Sequence, residues 1–309
     1  MDPGEDVMHV VAGPVVESAD PFDPESRTAE LARPGAPSAF LPDPDDPLVP
    51  SRSAGLTGWA RKVGGVLRRC LAGLVPIGLL AALPMHFFVG RVDDTVVAAP
   101  ALSDLAGGFG LLLLPLMWVA YFAVSALPLV ICLAGTAAVA LTEAARGTLP
   151  RPGVVWRLVA YRLRPLWVWF AVFGLLTQSL PLLLTADRLG TAVAAPLAVS
   201  LGLLSTGVLT FTGLLGSVVL IERGPGPRRA THLSSMAPLA GLVLASLAVT
   251  VLPRLADLFL GGPVSTLVAV VTALGWAVAA LVTYAHARRA EGPATAVSLY
   301  EELSAPEFD

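Results

Sequence analysis

Six stretches of this chain contain no Asp, Glu, Lys or Arg: residues 70–90, 105–142, 165–186, 189–221, 230–253 and 258–287. Each is long enough for the roughly 20 apolar residues with which a helix crosses a bilayer. Composition points the same way. Charged residues make up 14% of the chain and hydrophobic residues 55%, whereas soluble domains carry about 25% charged residues. The expected class is all-α: a polytopic membrane bundle of six transmembrane helices, with long even-numbered helices and short cytoplasmic amphipathic segments.

The stretch 105–142 is long enough for two short helices bent at Pro115 or Pro128, and charge decides between the alternatives. With six spans, both termini and every even-numbered loop share one side. That side collects Arg61, Lys62, Arg68, Arg69, Arg146, Arg151, Arg157, Arg162, Arg164, Arg223, Arg228, Arg229, Arg288 and Arg289. The other side has only Arg91, Arg188 and Arg254. Basic residues concentrate on the cytoplasmic side of membrane proteins, so fourteen against three places both termini in the cytoplasm of a multi-pass protein of the cell membrane. Splitting 105–142 would divide the basic loops between the faces. Trp59, Trp156, Trp167 and Trp169 are expected near the cytoplasmic boundary, where indole rings favour the headgroup zone.

Residues 1–50 differ from the rest. They hold ten prolines and eleven acids against two arginines, with no apolar periodicity. Such a segment cannot bury enough surface to offset its ordering entropy. The expected organisation is a disordered acidic, proline-rich cytoplasmic tail (1–55), a six-span domain (56–292) and a short cytoplasmic C-terminal tail (293–309). The first segment lacks the basic start and short apolar run of a signal peptide. It is expected to be dispensable for folding, the competing idea being that it docks on the basic loops.

The cytoplasmic exits of spans two, four and six repeat one text: "TEAARGTLP", "IERGPGP" and "ARRAEGP". Each combines an acid, an arginine, a glycine and a proline. After the first exit, Val155, Val159 and Leu163 form one helical column and Arg157, Tyr161 and Arg164 another. That spacing fits either an interfacial amphipathic helix or the start of span three. Glu143 and Glu222 stand at helix C-termini, where the macrodipole disfavours a carboxylate by about 0.3–1 kcal/mol. Each therefore either takes a cationic partner or stands solvated at the headgroup level, where an exposed pair is worth only about 0–1 kcal/mol. Arg146 is the candidate for Glu143, and Arg223, Arg228 or Arg229 for Glu222, with pairing between the exits of spans two and four as a further option.

The exits "ALTEAARGTLPRPGVVWRLVAYRLRPLW" and "VLIERGPGPRRATHLSSM", with the finish "TYAHARRAEG", resemble the six-helix membrane domain that precedes the catalytic domain of some bacterial glycerophosphodiester phosphodiesterases. The resemblance covers roughly residues 60–292. "ATHLSS" stands where that family has a basic arginine-serine step. Seventeen residues follow Gly292, so the resemblance implies a membrane module and no enzyme activity.

Catalytic constellations are sparse. His9, His86, His232 and His286 have no HExxH or His-x-His spacing. "VDD" at 92–94 lacks the second half of an aspartate-rich metal motif, because residue 97 is Val. "GPGP" at 224–227 lacks the Lys and Ser/Thr of a phosphate loop and reads as a turn. Cys70 and Cys132 both fall in apolar stretches and read as small buried thiols. No catalytic, metal or cofactor site is expected, and no nucleic-acid partner. Gln178 in span three and His86 toward the outer end of span one are the candidate intramembrane polar residues. The lipid bilayer is one partner, and a membrane protein or a second copy of the chain is another candidate.

The expected function is a non-enzymatic membrane module that scaffolds, senses or assists a membrane or lipid process. The alternative is a permease or exporter subunit for a small, mostly apolar solute. A polar cavity at mid-depth would favour the alternative.

Overall fold

Burial divides the spans by parity. In a computed structural model, residues 46–51, 55–84, 110–183, 191–222 and 226–305 are described. Six helical segments among them are long and apolar enough to cross a membrane. In the even-numbered segments, Val119–Arg146, Val199–Ile221 and Pro263–Glu291, 72%, 61% and 61% of the most apolar window is buried. The odd-numbered ones, Leu56–Pro84, Pro152–Leu175 and Leu239–Leu260, reach only 33%, 17% and 22%. Even spans therefore build the core, and odd spans face outward with leucines and valines such as Leu71, Leu79 and Leu258 exposed.

The helices are α1 (Leu56–Pro84), α2 (Gly110–Ser125), α3 (Leu127–Arg146), α4 (Pro152–Leu183), α5 (Thr191–Ile221), α6 (Gly226–Met236), α7 (Leu239–Leu260), α8 (Gly262–Glu291) and α9 (Ala296–Ser304). Packing repeats cyclically. The central helices α3, α5 and α8 all touch one another; α1 lies against α3 and α8, α4 against α3 and α5, and α7 against α5 and α8. Three odd–even helix pairs thus occupy similar places around one centre, which gives the thrice-repeated exit text a structural meaning. The three exits are the ends of the three central helices.

Small residues allow this closeness. Between helices in a bilayer, association depends on van der Waals contact, and small side chains let backbones approach. A Cβ on Gly216 of α5 would stand 2.3 Å from Leu133 Cδ2 of α3, and one on Gly213 would stand 3.1 Å from Ala280 Cβ of α8. Trp276, fully buried, fills the space beside Gly213 and meets Phe170 of α4 edge-on at 6.1 Å between ring centroids.

The long stretch 105–142 contributes one span. Helices α2 and α3 are joined at Ala126, whose N–H donates to Phe122 O and whose carbonyl accepts from Val130 N, both at 3.1 Å. Pro128 begins α3. A proline lacks the N–H that would continue the ladder, so the helix bends there without ending its course. Trp167 Nε1 donates to Ala123 O beside this bend at 2.6 Å.

Of the two readings left open for 154–164, one holds. Helix α4 runs unbroken from Pro152, so 154–164 is the start of span three and no separate interfacial helix. Its apolar column Val155, Val159 and Leu163 continues into the buried Leu166 and Phe170. Trp167 and Trp169 follow three and five residues after Arg164, the last basic residue of α4. The short amphipathic piece is instead α6, which buries Gly226, Ala230 and Leu233 and exposes Arg228, Thr231 and His232.

Helices α1, α4 and α7 start, and α3, α5 and α8 end, on one face, here termed the basic face. The acidic tail through residue 45 lies outside the described residues. Its continuation, Asp46–Pro50, is packed on this face with Leu48 and Val49 fully buried. These five residues meet the basic groups through backbone carbonyls, which accept from Lys62, Arg69 and Arg289, and not through the charge pairing that the competing idea for the tail supposed.

Candidate functional site

The basic face carries a connected set of ion pairs built from the exits. Helix α5 ends at Ile221, and Glu222 closes it with its N–H donating to Val218 O at 2.8 Å. The carboxylate there meets the unfavourable end of the helix dipole, and two donors and a further cation offset it. Arg229 Nε donates to Glu222 Oε2 at 2.6 Å, Tyr284 Oη donates to Oε1 at 2.9 Å, and Arg288 Nε stands 3.3 Å from Oε1. The Glu222 side chain is only 12% exposed.

Arg229 is delivered by α6, which folds back along the end of α5. The approach is close enough that a Cβ at Gly226 would stand 2.8 Å from Leu215 and 3.0 Å from Val219. The guanidinium then bridges two exits, because its Nη1 also donates to Glu291 Oε1 at 2.7 Å. Hydrogen bonds to Glu222 and then to Glu291 push Arg229 further toward its charged form. His232 Nδ1 stands 3.0 Å from Glu291, and Arg288 Nη2 donates to Glu302 of α9 at 2.8 Å. The charges alternate in space: Glu291, Arg229, Glu222, Arg288, Glu302. Alternation of this kind gives each partly exposed charge opposite neighbours, which offsets what desolvation it suffers.

Glu143 forms a second node. It ends α3 next to Gly147, whose φ of +66° is the left-handed cap that glycine adopts without strain. Its carboxylate accepts from Arg69 Nε at 3.1 and 3.2 Å, and Arg69 Nη2 donates to Pro47 O at 2.9 Å. Arg146 takes a different partner: its guanidinium carbon sits 4.8 Å above the Tyr300 ring of α9, a cation–π contact.

The strap Asp46–Pro50 ties these nodes together. Asp46 Oδ1 accepts from Leu48 N at 2.8 Å and Val49 N at 2.7 Å, and Oδ2 accepts from Ala296 N at 2.8 Å. It thereby caps α9 from outside, beside that helix's own capping box of Thr295 and Ser298. Lys62 Nζ donates to Asp46 O, and Arg289 Nη1 to Pro50 O at 3.0 Å. The described chain is joined at both ends on one face.

Among the candidates from sequence, Glu222 and Arg229 are paired, while Glu143 and Arg146 are close in sequence but take separate partners. Arg228 enters no ion pair among the described residues. The pairing between exits links spans four and six, through Arg229–Glu291 and Arg288–Glu222, with Glu143 engaged by span one. Arg223 and His86 lie outside the described residues, as does the side chain of Gln178. Reading only the first two exits misses Arg288 and Glu291, although the third exit, "ARRAEGP", contains both. Arg69, Glu302 and Asp46 have no signal in the exit text.

A cavity of about 270 Å³ lies where the α2–α3 bend, α4, α5, α7 and α8 meet. Phe170 and Phe173 line it together with Ser205, Thr212, Thr250 and Arg254. Above it, α5 and α7 are linked by Thr210 Oγ1 donating to Ser246 Oγ at 3.1 Å. Thr212 and Thr250 also bond carbonyls of their own helices, Leu209 O at 3.0 Å and Leu247 O at 2.9 Å. Among the described residues no group of three or more His, Cys, Asp or Glu is placed to hold a metal ion.

Fold and face together define a polytopic all-α membrane bundle with six spans. No family model matches the chain, and neither the curated proteins nor the solved structures yield a match.

Proposed function

We propose that the protein is a non-enzymatic membrane module whose basic face is a docking platform for a partner in a membrane or lipid process. One observation carries this reading: the strap Asp46–Pro50, α6 and α9 all lie outside the spans, yet the carboxylates of Asp46, Glu222 and Glu302 tie them to one another and to the ends of the spans. Ordering such pieces costs conformational entropy of about 1–2 kcal/mol per residue, and a chain that needed only to span a bilayer has no use for it. On this reading the basic face is cytoplasmic, as the fourteen-to-three distribution of cations supports. Kinship with the membrane domain of glycerophosphodiester phosphodiesterases is part of the same proposal and rests on the exit motifs.

Val297 is exposed on α9, and Glu301 lies one turn further on. A photo-crosslinking residue at either position is expected to give a discrete protein adduct in intact cells, while one at the exposed Leu258 on α7 gives only lipid adducts. Absence of a protein adduct from both platform positions would contradict the reading.

The cavity favours a second reading, a permease subunit for a small, mostly apolar solute. Its hydroxyls and Arg254 offer polar contacts beside two phenyl rings, the combination by which pockets orient such ligands. Filling it with Thr212→Phe should then reduce solute flux in proteoliposomes and leave the platform adducts intact.

A further inference from the structure

A second concavity, of about 380 Å³, lies between α1, α3 and the start of α4. Ala72, Pro76 and Leu80 line it from α1, Ile131 and Val139 from α3, and Trp156 from α4. None of its lining residues is charged or carries a hydroxyl. It opens at the basic face, because Leu149, Pro150 and Pro152 of the α3–α4 connection also border it. From Ala72 to Leu80 it extends about 12 Å along α1 at 1.5 Å per residue.

Its mouth is cationic. Arg68, one turn before Ala72 on the same stripe of α1, is exposed, and so is Arg151, set between the two bordering prolines. Neither enters an ion pair among the described residues. The neighbouring Arg69, by contrast, is committed to Glu143. No acid occurs in α1 or α4, and Glu143 of α3 is paired with Arg69, so neither Arg68 nor Arg151, each within one turn of residues that line the groove, has an acid paired to it.

We propose that this groove holds one anionic phospholipid of the surrounding leaflet, an acyl chain against Trp156 and Pro76 and the headgroup phosphate between Arg68 and Arg151. The walls suit an acyl chain, since no lining residue is charged or carries a hydroxyl and apolar surface is favourably removed from water against such walls. The charges select an anionic lipid, because arginine forks pair with phosphate and basic pockets between spans are where anionic headgroups are held.

Trp156, 63% exposed, reports on the groove. The protein would be reconstituted in phosphatidylcholine vesicles containing a minor share of chain-brominated phosphatidylglycerol or, separately, of chain-brominated phosphatidylcholine. The part of the fluorescence due to Trp156 is the difference from a Trp156→Phe variant. Brominated phosphatidylglycerol is expected to quench that part about threefold more than the zwitterionic lipid does. Arg68→Gln with Arg151→Gln should bring the two lipids level, while Arg228→Gln, an exposed cation on α6, should not. Equal quenching by both lipids in the unaltered protein would overturn the proposal without reference to any charge variant. So would a preference that survives the paired substitution.

Discussion

Replacing Asp46 with alanine is expected to lower stability by roughly 3 kcal/mol or more, since each buried donor left unsatisfied costs about 1–3 kcal/mol. Three backbone N–H groups depend on this one carboxylate, those of Leu48, Val49 and Ala296. Leu48 and Val49 are fully buried and Ala296 nearly so, and water cannot readily replace the lost acceptor. The first turn of α9 should loosen with the strap. Deletions provide the companion test. Removing residues 2–45 should leave the melting temperature in detergent unchanged, whereas removing 2–50 should lower it markedly. Equal behaviour of the two deletions would show that the strap contributes nothing to the fold.

The second large effect is expected at Glu222. Glu222→Gln leaves Arg229, Arg288 and the Tyr284 hydroxyl facing a neutral amide inside a crowded node. Breaking a fully buried pair from one side costs about 3–5 kcal/mol. Arg229 is still 27% exposed, so solvent screening reduces the expected loss to about 2 kcal/mol. Coupling is the more telling quantity. Arg229→Gln alone should also destabilise, because it frees both Glu222 and Glu291. The double variant should lose clearly less than the sum, as expected of residues that share one network. Strictly additive losses would mean that the acids and arginines are solvated independently.

Sequence legibility varied by kind of interaction. The spans were readable because exclusion of charge from hydrocarbon is a property of composition, visible residue by residue in stretches such as 189–221. Their inner ends were not, since α1 and α4 carry Arg61, Lys62, Arg157 and Arg164 on continuous helix where long cationic side chains can reach the interface. The exits offered Arg223, Arg228 or Arg229 for Glu222, and Arg229 is the one seen bonded to it. Partner choice for Glu143 went the other way, to Arg69 in span one. Proximity in sequence favoured Arg146, but the direction of the helix end and the ring of Tyr300 drew that arginine to α9. Asp46 was hidden for a different reason. One acid among eleven in a proline-rich segment has no local pattern, and its role exists only because Ala296, 250 positions away, presents an N–H to it.

The account depends on six spans that bring both ends of the described chain to one face, which we propose to be cytoplasmic, and accessibility of single cysteines tests that directly. Cys70 and Cys132 are buried and can be replaced by alanine to clear the background. Asp257, exposed and about 27 Å along α7 from its start, marks the opposite face; Gly153 and Glu301, both exposed, mark the basic one. In intact cells an impermeant thiol reagent is expected to label Asp257→Cys, and to label Gly153→Cys and Glu301→Cys only after the membrane is opened. Labelling of Gly153→Cys in intact cells would contradict the account.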